Sequence, residues 1–262
     1  MDSNYLIEER VIERAMAEYP KIKELVEFST PVVSFGYPTS ARIVTVGINP
    51  SSLEFLTAGK NKKILAANNK RLIDLESLGV SNPKTLNLEQ AIKVIEGCYQ
   101  YFDADSKPYM KWFDHLNDNV NAYFKSNYRD GSAAHLDLVQ WATNPVWGNI
   151  KDKNVKSGLL KGDVDFLRYQ INSKEFEVIF LNGRQVFDQL TNHKIVEATE
   201  VETVTYSTKN GKSLPVTFYK GKSRNGSLVV GWSRTFPGHH ISAGALQGVV
   251  KKLHKHFEHS NS

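Results

Sequence analysis

Four short apolar runs divide the chain, at residues 43–46, 136–139, 178–181 and 228–232. Each is strand-sized and continuous rather than alternating, which is the pattern of strands covered on both faces. Between them, apolar positions recur at helical spacing over residues 64–78, 88–101, 110–124 and 164–171. An N-terminal helical region, residues 1–30, carries Ile12, Ala15, Met16, Tyr19, Ile22 and Val26 at the same spacing, with Pro20 dividing it. Strands alternating with helices predict an α/β fold, a three-layer α/β/α sandwich on a mostly parallel four-stranded central sheet. We expect a single domain over residues 1–262.

One segment departs from the plan. Residues 201–207 and 214–220 alternate at period two around Asn210-Gly211, predicting an antiparallel hairpin appended to the sheet as an insertion at 200–221. A last helix follows Ser242, which is placed to cap it, and Leu246, Val249, Val250, Leu253 and Phe257 form its apolar stripe. Ligands of open parallel sheets bind beyond the carboxyl ends of the strands. In this chain those ends carry residues 47–52, 140–148, 182–183 and 233–242.

Composition changes this picture only a little. The hydrophobic fraction of 40% and charged fraction of 23% are those of a globular protein. A net charge of +5 and a pI near 9.0 agree with a polyanionic partner without requiring one. The only cysteine, Cys98, excludes an internal disulfide framework and a cysteine-held metal centre, and suits a reducing compartment. Residues 1–14 hold no signal-type apolar run, and no apolar stretch is long enough to span a membrane. The expectation is a cytoplasmic monomer without an obligate protein partner.

Chemistry is concentrated first at Gly47-Ile48-Asn49-Pro50-Ser51-Ser52. Gly47 permits a tight turn and Pro50 stiffens the chain after Asn49, so one carboxamide is held over the sheet edge. On these residues alone, Asn49 either serves a bound ligand or bonds its own backbone in a strand-to-loop turn. Residues 43–52, Ile-Val-Thr-Val-Gly-Ile-Asn-Pro-Ser-Ser, closely resemble the first motif of the uracil-DNA glycosylase superfamily, most nearly its mismatch-specific and single-strand-selective branches. The resemblance implies one glycosylase-like domain that needs neither cofactor nor metal. It also implies that Asn49 positions the hydrolytic water. Cleaving an N-glycosidic bond develops positive charge on the sugar and negative charge on the base, so a site must orient water on one side and stabilise an anion on the other.

His135 and Asp137 share one face of the next strand. In the superfamily a residue near this position, commonly asparagine, reads the extruded base. As a carboxylate, Asp137 offers acceptors only, which suits the exocyclic amine of a cytosine-like base better than the carbonyl of uracil. A glycosylase of ordinary cytosine would damage its host, so the expected substrate is a modified cytosine. Glucosylated hydroxymethylcytosine in phage DNA, the target of antiphage glycosylases in this superfamily, is the example. The alternatives are uracil excision in base-excision repair and an Asp137–His135 pair that serves only structure.

The segment Thr235-Phe236-Pro237-Gly238-His239-His240-Ile241-Ser242 lies where the superfamily's second motif, often His-Pro-Ser, precedes a DNA-penetrating loop. Here Phe236 replaces the histidine before proline. By resemblance His239 is assigned to the departing base, and His240 with Ile241 to the DNA, with His240 also within reach of the base. On composition alone these histidines are exposed or capping groups. Phe55 and Trp147 are candidate platforms for the base, and burial is the competing reading of Phe55. Lys60, Lys62, Lys63, Lys209, Lys212, Lys220, Lys222 and Arg224 offer a basic field for phosphates. No lysine adjoins the motifs at a spacing that argues for Schiff-base chemistry, so the expected activity is monofunctional. A fold that kept DNA binding and lost catalysis, and a hydrolase of free nucleosides, are the competing functions.

Overall fold

A computed structural model describes residues 7–103, 105, 108–208, 210–235 and 243–258. The chain forms two compact units, each assembled from separated segments. The first comprises Met1–Gly36, Asn49–Tyr109 and Val139–Phe166; the second comprises Tyr37–Ile48, Met110–Leu138 and Leu167–Ser262. The chain passes between them at residues 36–37, 48–49, 109–110, 138–139 and 166–167.

The second unit holds a six-stranded, mostly parallel sheet. Its strands are β1 (Ile43–Gly47), β2 (Ala133–Asp137), β3 (Val178–Asn182), β4 (Val196–Ser207), β5 (Ser213–Ser223) and β6 (Leu228–Trp232), in the order β2-β1-β3-β6-β5-β4. β1 pairs in parallel with both β2 and β3, and β3 with β6. β1, β2 and β3 are buried along their whole length, as strands covered on both faces are. The hairpin is not an appendage: β5 runs antiparallel to β6 and β4 to β5, so its strands complete the same sheet. They also extend past the expected 200–221, because β4 and β5 pair from Val196↔Ser223 to Ser207↔Ser213. Helices flank the sheet.

Other boundaries differ from the sequence reading as well: the helix expected at 164–171 starts at Lys153. β2 starts three residues earlier than the apolar run at 136, since Ala133 and Ala134 are buried strand residues with little hydrophobic weight. Residues 64–78 form no α-helix; two 3₁₀ turns, Ala67–Asn69 and Glu76–Leu78, stand there instead. The Asp74 carboxylate accepts from the Ser77 backbone N–H at 2.8 Å, a side-chain bond that competes with helix. In the N-terminal region only α1 (Glu9–Ala15) is helical within residues 7–30, and the chain after Pro20 runs as irregular backbone in which Leu25 bridges Thr143.

The remaining helices are α2 (Leu88–Tyr99), α3 (Met110–Asn119), α4 (Lys153–Asn172), α5 (Arg184–Asn192) and α6 (Ala243–Glu258). α2 begins with a reciprocal capping box between Asn87 and Gln90 and buries Ala91, Val94, Ile95 and Cys98. No described helix is long and apolar enough to cross a membrane.

Candidate functional site

Asn49 opens the first unit's segment after β1. Its Nδ2 donates to the Pro50 carbonyl at 3.1 Å, the Trp141 carbonyl at 3.2 Å and the Thr143 hydroxyl at 3.1 Å. Two of these acceptors are carbonyls, which only the amide NH2 can serve, so the carboxamide orientation is determined. The local-turn reading therefore accounts for one contact of three; the other two tie Asn49 to a loop more than ninety residues away in sequence. Asn49 Oδ1 has no protein donor among the described residues and, on this half-buried side chain, remains an acceptor for a ligand or water.

That loop is itself clamped. Thr143 bridges Ser51 on one side and Leu25 on the other, and the backbone N–H groups of Val26 and Val32 donate to the carbonyls of Ala142 and Gln140. Beneath it, Asp163 accepts from the Gln140 N–H at 2.6 Å and from Arg14 at 2.7 Å. Arg14 lies over the Trp141 ring at 5.5 Å and Tyr19 meets that ring edge-on. Ser51 caps the short turn Ser52–Glu54 by accepting from Leu53 N–H. Lys62 donates from Nζ to Ser52 Oγ at 2.7 Å and to Asn144 Oδ1 at 3.2 Å. Folding thus brings a lysine to the first motif that spacing did not place there.

In the second unit, His135 and Asp137 project from β2 on one face and are buried, 2% and 5% exposed. His135 Nε2 faces Asp137 Oδ1 at 3.4 Å. On its other side His135 Nδ1 lies 2.7 Å from Thr45 Oγ1, and Thr45 Oγ1 lies 2.6 Å from the Tyr128 hydroxyl. Four polar side chains from three segments therefore form one buried row. Burial, with a smaller contribution from the nearby Asp137 charge, pushes the Tyr128 phenol well above its ordinary range and keeps it protonated. Trp112 and Phe113 of α3 pack edge-on against the imidazole at 4.9 and 5.5 Å.

Gly47 makes room for this row. It pairs with Asp137 across β1 and β2, and a Cβ at residue 47 would stand 2.7 Å from Asp137 Oδ1 and 2.8 Å from His135 Nε2. The glycine is required by close approach rather than by a turn: its φ is not among the positive values.

Neither aromatic candidate offers an open face. Phe55 is 3% exposed and belongs to the core of the first unit, so its burial overrides the platform reading. Trp147 is 8% exposed, with Lys156 over its ring at 5.5 Å. His239, His240 and Ile241, with Phe236 and Ser242, lie outside the described residues. Thr45, Trp112, Tyr128 and Thr143 were not singled out in the sequence. Thr45 left the clearest signal, a hydroxyl in an otherwise apolar buried strand, two residues before Gly47 and so on its face. Among the described residues no cluster of three or more histidine, cysteine, aspartate or glutamate side chains is arranged to hold a metal ion. The chain matches no protein-family model, and it matches no curated protein at a significant level.

Proposed function

We propose that this chain is a DNA glycosylase that extrudes a modified pyrimidine and hydrolyses its N-glycosidic bond, leaving an abasic site. The observation that carries the reading is the Asn49 carboxamide, held by three acceptors through Nδ2 with Oδ1 remaining to accept from water. A group fixed in this way orients a nucleophile without reorganising during the reaction. The parallel core, extended by its hairpin, agrees with the superfamily's α/β/α sandwich, and residues 43–52 resemble its first motif. Asp137 is the base-reading residue in this proposal, since a carboxylate favours an amino-bearing base such as glucosylated hydroxymethylcytosine. Excision of such a base from phage DNA would make the protein an antiviral enzyme of the cytoplasm, with DNA its partner.

The test is an abasic-site assay on DNA carrying cytosine, hydroxymethylcytosine, its glucosylated form or uracil, with wild type and Asn49→Ala. Wild type is expected to release the glucosylated base. Asn49→Ala is expected to lose about 10²–10³-fold in rate, the usual cost of removing one preorganised group. Release of uracil alone assigns the enzyme to repair instead. Tight, salt-dependent DNA binding by both proteins with no base released refutes catalysis and leaves a binding module.

A further inference from the structure

Lys62 is a half-buried cation held by neutral groups. Its Nζ donates to Ser52 Oγ at 2.7 Å and to Asn144 Oδ1 at 3.2 Å. An ammonium has three N–H donors, so one remains, and among the described residues no carboxylate pairs with it. Lys70, also half-buried, shows the usual arrangement: it meets the Asp74 carboxylate at 2.7 Å. A charge withdrawn from water is costly unless an opposite charge meets it. Tying Ser52 to Asn144 needs only a neutral donor, so the positive charge is left for a ligand.

A local device turns Lys62 inward. The Thr57 N–H donates to the Lys63 carbonyl at 2.8 Å, the Lys63 N–H to Thr57 Oγ1 at 3.0 Å and the Leu65 N–H to the Phe55 carbonyl at 2.9 Å, while Leu56 bridges Ile64. Buried Phe55 and Leu65 anchor this hairpin. Lys60 and Lys63 are exposed on it, whereas Lys62 returns to the first motif. Its acceptors belong to the two segments that hold Asn49. Ser52 follows Asn49 on the same turn, and Asn144 follows Thr143, whose hydroxyl accepts from Asn49 Nδ2 at 3.1 Å. One frame therefore sets both the cation and the carboxamide.

We propose that Lys62 is a phosphate seat: its ammonium, held between Ser52 and Asn144, takes a phosphate of the DNA strand next to the nucleotide that Asn49 serves. Exposed Lys60 and Lys63 extend the positive field around it, which suits a run of phosphates better than a single carboxylate. DNA as the source of the phosphate rests on the glycosylase reading given above. One contact of this kind contributes about 0.9 to the slope of log affinity against log salt on duplex DNA. Over a roughly fourfold rise in salt, its loss should therefore make the fall in affinity about three- to fourfold smaller.

The experiment has two arms. In the first, binding of a short duplex carrying a tetrahydrofuran abasic-site analogue is followed by fluorescence anisotropy across a salt series, for wild type, Lys62→Gln and Lys62→Arg. Glutamine keeps a donor and removes the charge; arginine keeps the charge. A slope lowered by about 0.9 in Lys62→Gln and restored in Lys62→Arg supports the seat. A slope unmoved in Lys62→Gln, or lowered equally in both variants, overturns it, as does a wild type that binds no DNA. In the second arm, wild type alone is titrated with duplexes in which each phosphate adjoining the analogue is replaced in turn by a neutral methylphosphonate. One position that lowers the slope supports the seat; a flat scan overturns it, whether or not the variants fold. A Lys62-dependent adduct trapped by borohydride on abasic DNA also overturns it, since Lys62 would then be an amine nucleophile. If the slopes are as stated and no protein releases any base, the glycosylase reading fails while the seat stands. Base release with an unmoved slope has the opposite meaning.

Discussion

Replacing Gly47 by alanine adds one methyl group at the most crowded point of the second unit. The new Cβ would sit 2.7 Å from Asp137 Oδ1, 2.8 Å from His135 Nε2 and 3.0 Å from His135 Cε1. Carbon and oxygen do not approach so closely, and neither side chain has open space to retreat into, as both are buried. Overpacking of this kind costs about 1–3 kcal/mol. Against it stands the roughly 0.5–1 kcal/mol regained when glycine leaves a strand interior, since residue 47 has a φ that alanine adopts freely. The net expectation is a destabilisation of up to about 2.5 kcal/mol, or a fall in Tm of up to about 10 °C for a chain of this size. Thermal unfolding followed by circular dichroism measures it, with Gly162→Ala as the control. Gly162 lies in α4 with no atom within 4 Å of its would-be Cβ, so alanine there should stabilise by about 0.5–1 kcal/mol. A Gly47→Ala protein that unfolds at or above the wild-type temperature would refute the close seat of Asp137 and His135 on Gly47.

Four other outcomes follow from the same structure. Asp137→Asn should shift base preference toward uracil, because the carboxamide adds a donor; an unchanged profile in the abasic-site assay removes Asp137 from base reading. Arg14→Met should cost about 3–5 kcal/mol in urea unfolding by leaving Asp163 buried without its cation, and Arg14→Met with Asp163→Asn should recover part of that; a cost below about 1 kcal/mol for the single variant contradicts the pair. Burial raises the Cys98 thiol from 9.0 to about 11, so it should resist alkylation at pH 8 until the protein unfolds. Between those two values the unfolded chain releases the proton that the native thiol keeps, so stability should fall as pH rises, by about 2–3 kcal/mol at pH 11 in a comparison of wild type with Cys98→Ala.

The parallel core was legible because its strands are continuous apolar runs, and burial on both faces leaves little else for such runs to be. The hairpin was legible from alternation around Asn210-Gly211, but its place in the sheet was not. Edge-to-edge pairing of β5 with β6 is a long-range choice that neither strand's own pattern records. Residues 64–78 were misread because Ile64, Leu65, Leu72, Leu75 and Leu78 suit a helical stripe. The local bonds of Asp74 and the pairing of Leu56 with Ile64 decided against it. Periodicity reports which residues seek burial; side chains that bond nearby backbone decide whether a helix is how they get there.

The two halves of the candidate site differ in how far sequence reaches them. Asn49 stood out in the sequence through its position straight after a buried strand and before Pro50. What holds it, the Trp141 carbonyl and Thr143 hydroxyl, arrives from a loop whose position depends on Arg14, Asp163 and Leu25, none of which carries a motif. At Asp137 the reverse applies. The acidic side chain was visible, and so was its neighbour His135, but the residues that continue their row were not. Those are Thr45 and Tyr128, from β1 and from the segment after α3. A reading confined to β2 left a structural pair and a base-reading carboxylate as rivals. The structure extends that pair into a row of four, with Thr45 beside His135 and Tyr128 beside Thr45, and Asp137→Asn is the variant whose base profile separates the two readings.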